Sequence, residues 1–94
     1  DAAHEADVVV RESGADRETA RRLVDLAQRT RALAQAGNGL DEGASTRLLV
    51  HAARLIVAGL APLDACRIAI SDAATDDADT RAALQTMAAA YFAT

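Results

Sequence analysis

The sequence predicts an all-α fold, a compact bundle of about five helices, and three observations carry that prediction. Alanine is by far the commonest residue among the 94, and it is the best helix former and depleted in strands. Apolar residues recur at spacings of three and four, which is the signature of one helix face. No segment shows a convincing apolar alternation of period two. Apolar residues make up 51% of the chain, but its aromatic residues are only Tyr91 and Phe92.

The first helix is expected from about Ala3 to Glu12, with Ala6, Val9 and Val10 on one face and Ser13-Gly14 as its stop. Asp16 suits the N-cap of the second helix and Glu18 its first turn. That helix carries Ala20, Leu23, Val24, Ala27 and Ala34 on one stripe and Arg17, Arg21, Asp25 and Arg29 on the other face. Arg21, Arg22, Arg29 and Arg31 read as a solvated face with partners such as Asp25 one turn away. Gly37 is expected as the residue past the helix end, with Gly37-Asn38-Gly39 as a flexible connection.

The third helix is expected from about Ser45 to Ala58, with Gly59 as its stop. Leu48, Leu49, Val50, Ala52, Ala53, Leu55, Ile56 and Val57 make it apolar around most of its circumference, which suits the middle of a bundle or a place under a partner. Pro62 fits the first turn of a fourth helix presenting Leu63, Cys66, Ile70 and Ala73, with Ile68 and Ala69 widening the stripe. Asp76 or Asp77 caps a fifth helix with Thr80, Leu84, Met87, Ala88 and Tyr91 in register. No repeat, linker or low-complexity tail separates these elements, so residues 1–94 read as one helical domain. The chain begins at Asp1 and not at a methionine, which is what a piece of a larger protein would show.

Charge and composition exclude several functions. The net charge is −4, and the ten cations are all arginine, so no lysine is present to act at phosphates, form a Schiff base or serve as a base. An acidic balance with no basic block argues against a nucleic-acid module, which salt-dependent duplex binding would revive. The single Cys66 precludes an internal disulfide framework and favours the cytosol, and its apolar setting makes it a small core residue. No apolar run approaches the ~20 residues needed to span a bilayer. His4-Glu5 opens like half of a zinc-protease motif, but no histidine follows four residues after His4, and two histidines with one cysteine do not build a zinc site. Asp76, Asp77 and Asp79 form a capping cluster and lack the glycine and ligand series of a calcium loop. With no catalytic dyad, glycine-rich cradle or placed base, the chain alone is expected to catalyse nothing.

One constellation stands out. Arg47, His51 and Arg54 fall at i, i+4 and i+7 and share one face of the third helix. At that helix's start the backbone N–H groups of Ala44 to Arg47 are expected to be free and to point outward, with the Ser45 and Thr46 hydroxyls alongside, which makes a setting for an anion. An arginine there is repelled by the helix dipole, by a few tenths of a kcal/mol up to about 1, unless a phosphate reverses the sign. The alternative is that the three residues are the solvated edge of a mostly buried helix.

The run "GLDEGASTRLLVHAARLI", residues 39–56, followed by "GLAPLDACRIAISDAATDDADTRAALQTMAAAYF", resembles the C-terminal domain of the CbbQ/NirQ/NorQ family. Upstream, "EADVVVRESGADRETARRLVDLAQRTRAL" is similar to the first helices of that family's small, lid-like region, so the likeness covers nearly the whole chain. These are AAA+ ATPases of the MoxR type, a group that includes the gas-vesicle protein GvpN. The resemblance implies that Arg47 is the sensor-2 arginine, which projects from the lid toward the nucleotide's terminal phosphates. Thr46 stands where many MoxR relatives carry proline; His51 and Arg54 are not matched as ligands.

The resemblance further implies a parent ATPase that uses ATP with Mg2+ and supplies the P-loop core, while the isolated fragment binds ATP weakly or not at all. It implies hexamers in which a lid packs on the neighbouring subunit, a partner carrying a von Willebrand factor A domain, and a client such as Rubisco or nitric oxide reductase. A competing reading is a stand-alone helical module that holds a partner in an apolar groove.

Overall fold

In the computed structural model, which describes residues 1–36 and 43–92, each expected helical segment forms. Helix α1 spans Ala2–Ser13, starting where the Asp1 carboxylate accepts from the His4 N–H at 2.9 Å. It ends at Gly14, whose φ of 79° is left-handed and whose N–H donates to the Val10 carbonyl. Asp16 caps α2 (Arg17–Gln35) by accepting from the Thr19 N–H at 2.7 Å. The expected Gly37 stop and the Gly37-Asn38-Gly39 connection lie outside the described residues.

Ser45 caps α3 (Thr46–Val57), which closes in a Schellman arrangement. The Gly59 N–H donates to the Ile56 carbonyl and the Leu60 N–H to the Leu55 carbonyl, and Gly59 takes a φ of 110°. Past it come α4 (Pro62–Cys66), a π-helical segment (Arg67–Ser71) and α5 (Asp72–Ala74), which together form the expected fourth helix. Helix α6 (Ala78–Phe92) starts at Asp77, which accepts from both the N–H and the hydroxyl of Thr80 at 2.8 and 2.7 Å. The Thr80 hydroxyl holds the Asp77 carboxyl below its ordinary value, with the backbone N–H adding to the effect.

Helix α1 packs on α2 and α3, α2 also packs on α6, and the α4–π segment lies between α3 and α6. Val9, Leu23, Val24, Leu26, Leu49, Cys66, Ile70 and Leu84 fill the centre, with buried alanines such as Ala20, Ala27, Ala52 and Ala53 letting the helices approach closely. The Cα radius of gyration is 12.0 Å, close to the roughly 12 Å expected of a compact chain of this length. No helix among the described residues is long and apolar enough to cross a membrane.

Two packing expectations need correction. Helix α3 is fully buried only along Leu49, Ala52 and Ala53, although it packs against α1, α2, α4 and the π segment. Leu48, Val50, Leu55 and Ile56 are half-buried, and Val57 is 54% exposed. The stripe of the fourth helix breaks at the π segment, where one extra residue in the turn sets the following side chains back by roughly 100°. Ser71 is therefore buried while Ala73 is exposed, and Ile68 stands 41% exposed.

Candidate functional site

Each residue of the segment Gly43-Ala44-Ser45-Thr46 has a distinct role in holding the start of α3. Gly43 lies so close to the α2 backbone that a Cβ there would collide with the Cα, N and Cγ atoms of Arg31. Ala44 is buried, and both its backbone groups are used: its N–H, expected to be free for an anion, donates to Thr30 Oγ1 at 2.9 Å, and its carbonyl accepts from Arg31 Nε at 2.9 Å. The buried Thr30 hydroxyl donates in turn to the Ala27 carbonyl at 2.7 Å, so its donor and acceptor capacities are both engaged. Ser45 is the N-cap, and its hydroxyl accepts from the Leu48 N–H at 3.3 Å.

The Thr46 hydroxyl reaches across to α1 and donates to Glu5 Oε2 at 2.7 Å. Glu5 also receives an end-on pair of bonds from Arg31, Nη1 to Oε1 at 2.9 Å and Nη2 to Oε2 at 2.6 Å. The side chain of Glu5 is only 13% exposed and that of Arg31 34%. The Arg31 guanidinium holds the Glu5 carboxyl below its ordinary value, against the opposing effect of burial, with the Thr46 hydroxyl assisting.

Arg47 follows directly. It sits in the first turn of α3 and is exposed, and no ion pair joins it to the described residues. The backbone N–H groups of Thr46 and Arg47 belong to the helix positions that have no intrahelical acceptor. A cation beside free N–H donors is chemically suited to a phosphate group.

The other predicted residues have more local placements. His51 is exposed on the same face. Arg54 is exposed too, but its Nε and Nη2 both donate to the Glu12 carbonyl, at 3.2 and 3.1 Å, in the last turn of α1. That contact satisfies an end-of-helix carbonyl and ties α3 to α1. The hydroxyls of Ser45 and Thr46 are engaged within the protein, one by the cap and the other by Glu5.

The reading of Arg31 as part of a solvated face is incorrect. The crossing of α1 over α2 brings Glu5 within reach, so Arg31 becomes the centre of a network joining three helices. The expected partner Asp25 makes no ion pair among the described residues; Arg22 instead pairs with Glu18 one turn away at 3.1 Å and donates to the Tyr91 carbonyl at the end of α6. Glu5 is the residue that sequence reasoning missed. Its signal was its position: it lies one turn before Val9 and one after Ala2, an acid placed in an apolar stripe.

The model of the family described as CbbQ/NirQ/NorQ C-terminal matches residues 5–91. Protein CbbQ of Hydrogenophilus thermoluteolus is 52% identical over 89 residues, covering 95% of this chain and 33% of that protein. The denitrification regulatory protein NirQ of Pseudomonas aeruginosa is 49% identical over 83 residues, covering 88% of this chain and 31% of that protein. Protein NorQ of Paracoccus denitrificans is 43% identical over 90 residues, covering 96% of this chain and 33% of that protein. The chain thus spans about a third of the length of the curated relatives it matches. With a family model covering Glu5, Arg31 and the whole of α3, and relatives matched almost end to end, the chain belongs to the CbbQ/NirQ/NorQ C-terminal family.

Proposed function

We propose that this chain is the nucleotide-sensing lid of a MoxR-type AAA+ ATPase and that Arg47 reads the terminal phosphates. The observation that carries the reading is the contrast within one short segment. Residues 43–46 are held by α1 and α2, while Arg47 projects from the same turn without a charged partner among the described residues. An arginine on a rigid support that opposes the local helix dipole gains its stabilising partner when an anion arrives.

In this reading ATP, bound with Mg2+ by the P-loop core, supplies the phosphoanhydride that is hydrolysed. Arg47 orients and screens the charge that develops on the terminal phosphate, and the N–H groups of the first turn of α3 add fixed positive potential. The partners are that core and the neighbouring subunits of a hexamer, with a von Willebrand factor A protein and a client enzyme such as Rubisco or nitric oxide reductase. Membership of the family supports the core as a partner.

The test is steady-state ATPase activity of the whole protein beside Arg47→Ala and Arg47→Lys. Arg47→Ala is expected to slow turnover roughly 10- to 1,000-fold. Arg47→Lys keeps the charge but loses the planar fork, so it should fall between. Stability should move the other way, unchanged or higher by a few tenths of a kcal/mol, because a cation is removed from a helix N-terminus. Wild-type turnover in Arg47→Ala would reduce this segment to a helix start. A whole protein without ATPase activity would favour the helical interaction module instead, and tight ATP binding by this chain alone would contradict the lid reading.

A further inference from the structure

We infer that the Glu5–Arg31 pair, acting through Ala44 and Thr46, is the positioning device for Arg47; the inference rests on the lid reading above. The network grips the chain on both sides of the Ser45 cap. Before the cap, Arg31 Nε holds the Ala44 carbonyl and Thr30 holds the Ala44 N–H. After it, the Thr46 hydroxyl is bound to Glu5 Oε2 at 2.7 Å. The backbone that carries Arg47 is thereby fixed to α1 and α2 through the residue just before it.

The charge arrangement suits this role. Thr46 could be held by a lone carboxylate, but an uncompensated anion near the start of α3 would repel an incoming phosphate. Arg31 neutralises Glu5 through two parallel bonds, so the clamp supplies rigidity without adding net charge. Glu5, Arg31 and Thr46 are positioning residues, and Arg47 is the group that meets the ligand.

The test compares Thr46→Val in two backgrounds of the whole protein, wild-type and Arg47→Ala, with kcat, KM and melting temperature measured for each. In the wild-type background Thr46→Val is expected to lower kcat about 10-fold, with KM changed less, since a misplacement of about 1 Å can cost on the order of 100-fold. Thr46→Ser, which keeps the hydroxyl, should recover most of that loss. In the Arg47→Ala background Thr46→Val should cost no more than about 2-fold, because the group it positions is already gone.

The same factor in both backgrounds would overturn the inference, since Thr46 would then act on the fold alone. So would a Thr46→Val protein with wild-type turnover while Arg47→Ala is slow. Wild-type turnover in Arg47→Ala itself is the separate outcome that removes the lid reading and this inference with it. Should Thr46→Val melt below the assay temperature, the near-isosteric Glu5→Gln takes its place in the same comparison.

Discussion

The Glu5 carboxylate and the Arg31 guanidinium meet end-on across α1 and α2, joined by bonds of 2.9 and 2.6 Å between residues 26 apart in the chain. Both oxygens of Glu5 are used, and Oε2 is shared with the Thr46 hydroxyl, so the pair belongs to three helices at once. Its loss should be felt at a distance. Glu5→Gln is expected to cost about 1–3 kcal/mol, the range for hydrogen bonds to charged groups in a partly buried setting.

The pH dependence of that cost follows from the lowered pKa of Glu5. A carboxyl held below its ordinary value of 4.5 in the folded protein contributes stability that is present above that value. The contribution is lost as pH falls through the folded value, where Glu5 takes up its proton. The melting temperatures of wild-type and Glu5→Gln should therefore differ at pH 7 and converge as pH drops below 4.5. A difference that persists undiminished at pH 2–3 would assign the loss to packing and not to charge.

Gly43 and Gly14 should respond differently to alanine. At Gly43 a Cβ meets the backbone of α2 at Arg31, which cannot move aside without shifting the helix. Gly43→Ala is expected to cost about 1–3 kcal/mol, the range for overpacking. At Gly14 there is open space, and only the φ of +79° penalises a side chain, so about 1 kcal/mol is expected. Denaturant midpoints for the two variants measure the contrast, and only Gly43→Ala should displace the start of α3.

Gln85 is the support of the π segment. Its Nε2 donates to the Leu63 carbonyl at 2.8 Å, and its Oε1 accepts from the buried Ser71 hydroxyl at 3.1 Å. Gln85→Leu leaves the Ser71 hydroxyl unpaired in the core and is expected to cost about 1–3 kcal/mol. The double variant Gln85→Leu/Ser71→Ala should recover part of the loss, because it removes the stranded hydroxyl. Chemical denaturation of the three proteins reads the coupling directly.

Cys66 should behave as an inert core residue. It is fully buried, and burial pushes its thiol up to about 12, so at pH 8 only about one molecule in ten thousand carries the reactive thiolate. Iodoacetamide labelling of the native chain is expected to run at least ~100-fold slower than in denaturant and to follow the unfolding equilibrium. Fast labelling under native conditions would show that the π segment opens locally.

What could be read from the sequence was what neighbours along one helix decide. Asp16, Ser45 and Asp77 act on N–H groups three residues away, so their caps are written in short stretches of chain. Leu23, Val24 and Ala27, or Leu84 and Ala88, lie on one face for the same reason, and the position of Arg47 in the first turn of α3 is equally local. Tertiary structure alone decided the partners of that turn. Thr46 and Glu5 are 41 residues apart, and whether they touch depends on how α1 crosses α3, which no spacing along a helix encodes. The π turn at Arg67–Ser71 is of the same kind, since Gln85 on α6 bonds the Ser71 hydroxyl and the Leu63 carbonyl across it. Local hydrogen bonding shapes each helix, whereas the long-range polar contacts form only once apolar burial has chosen the crossings, and those crossings bring Arg31 against Glu5 and the start of α3.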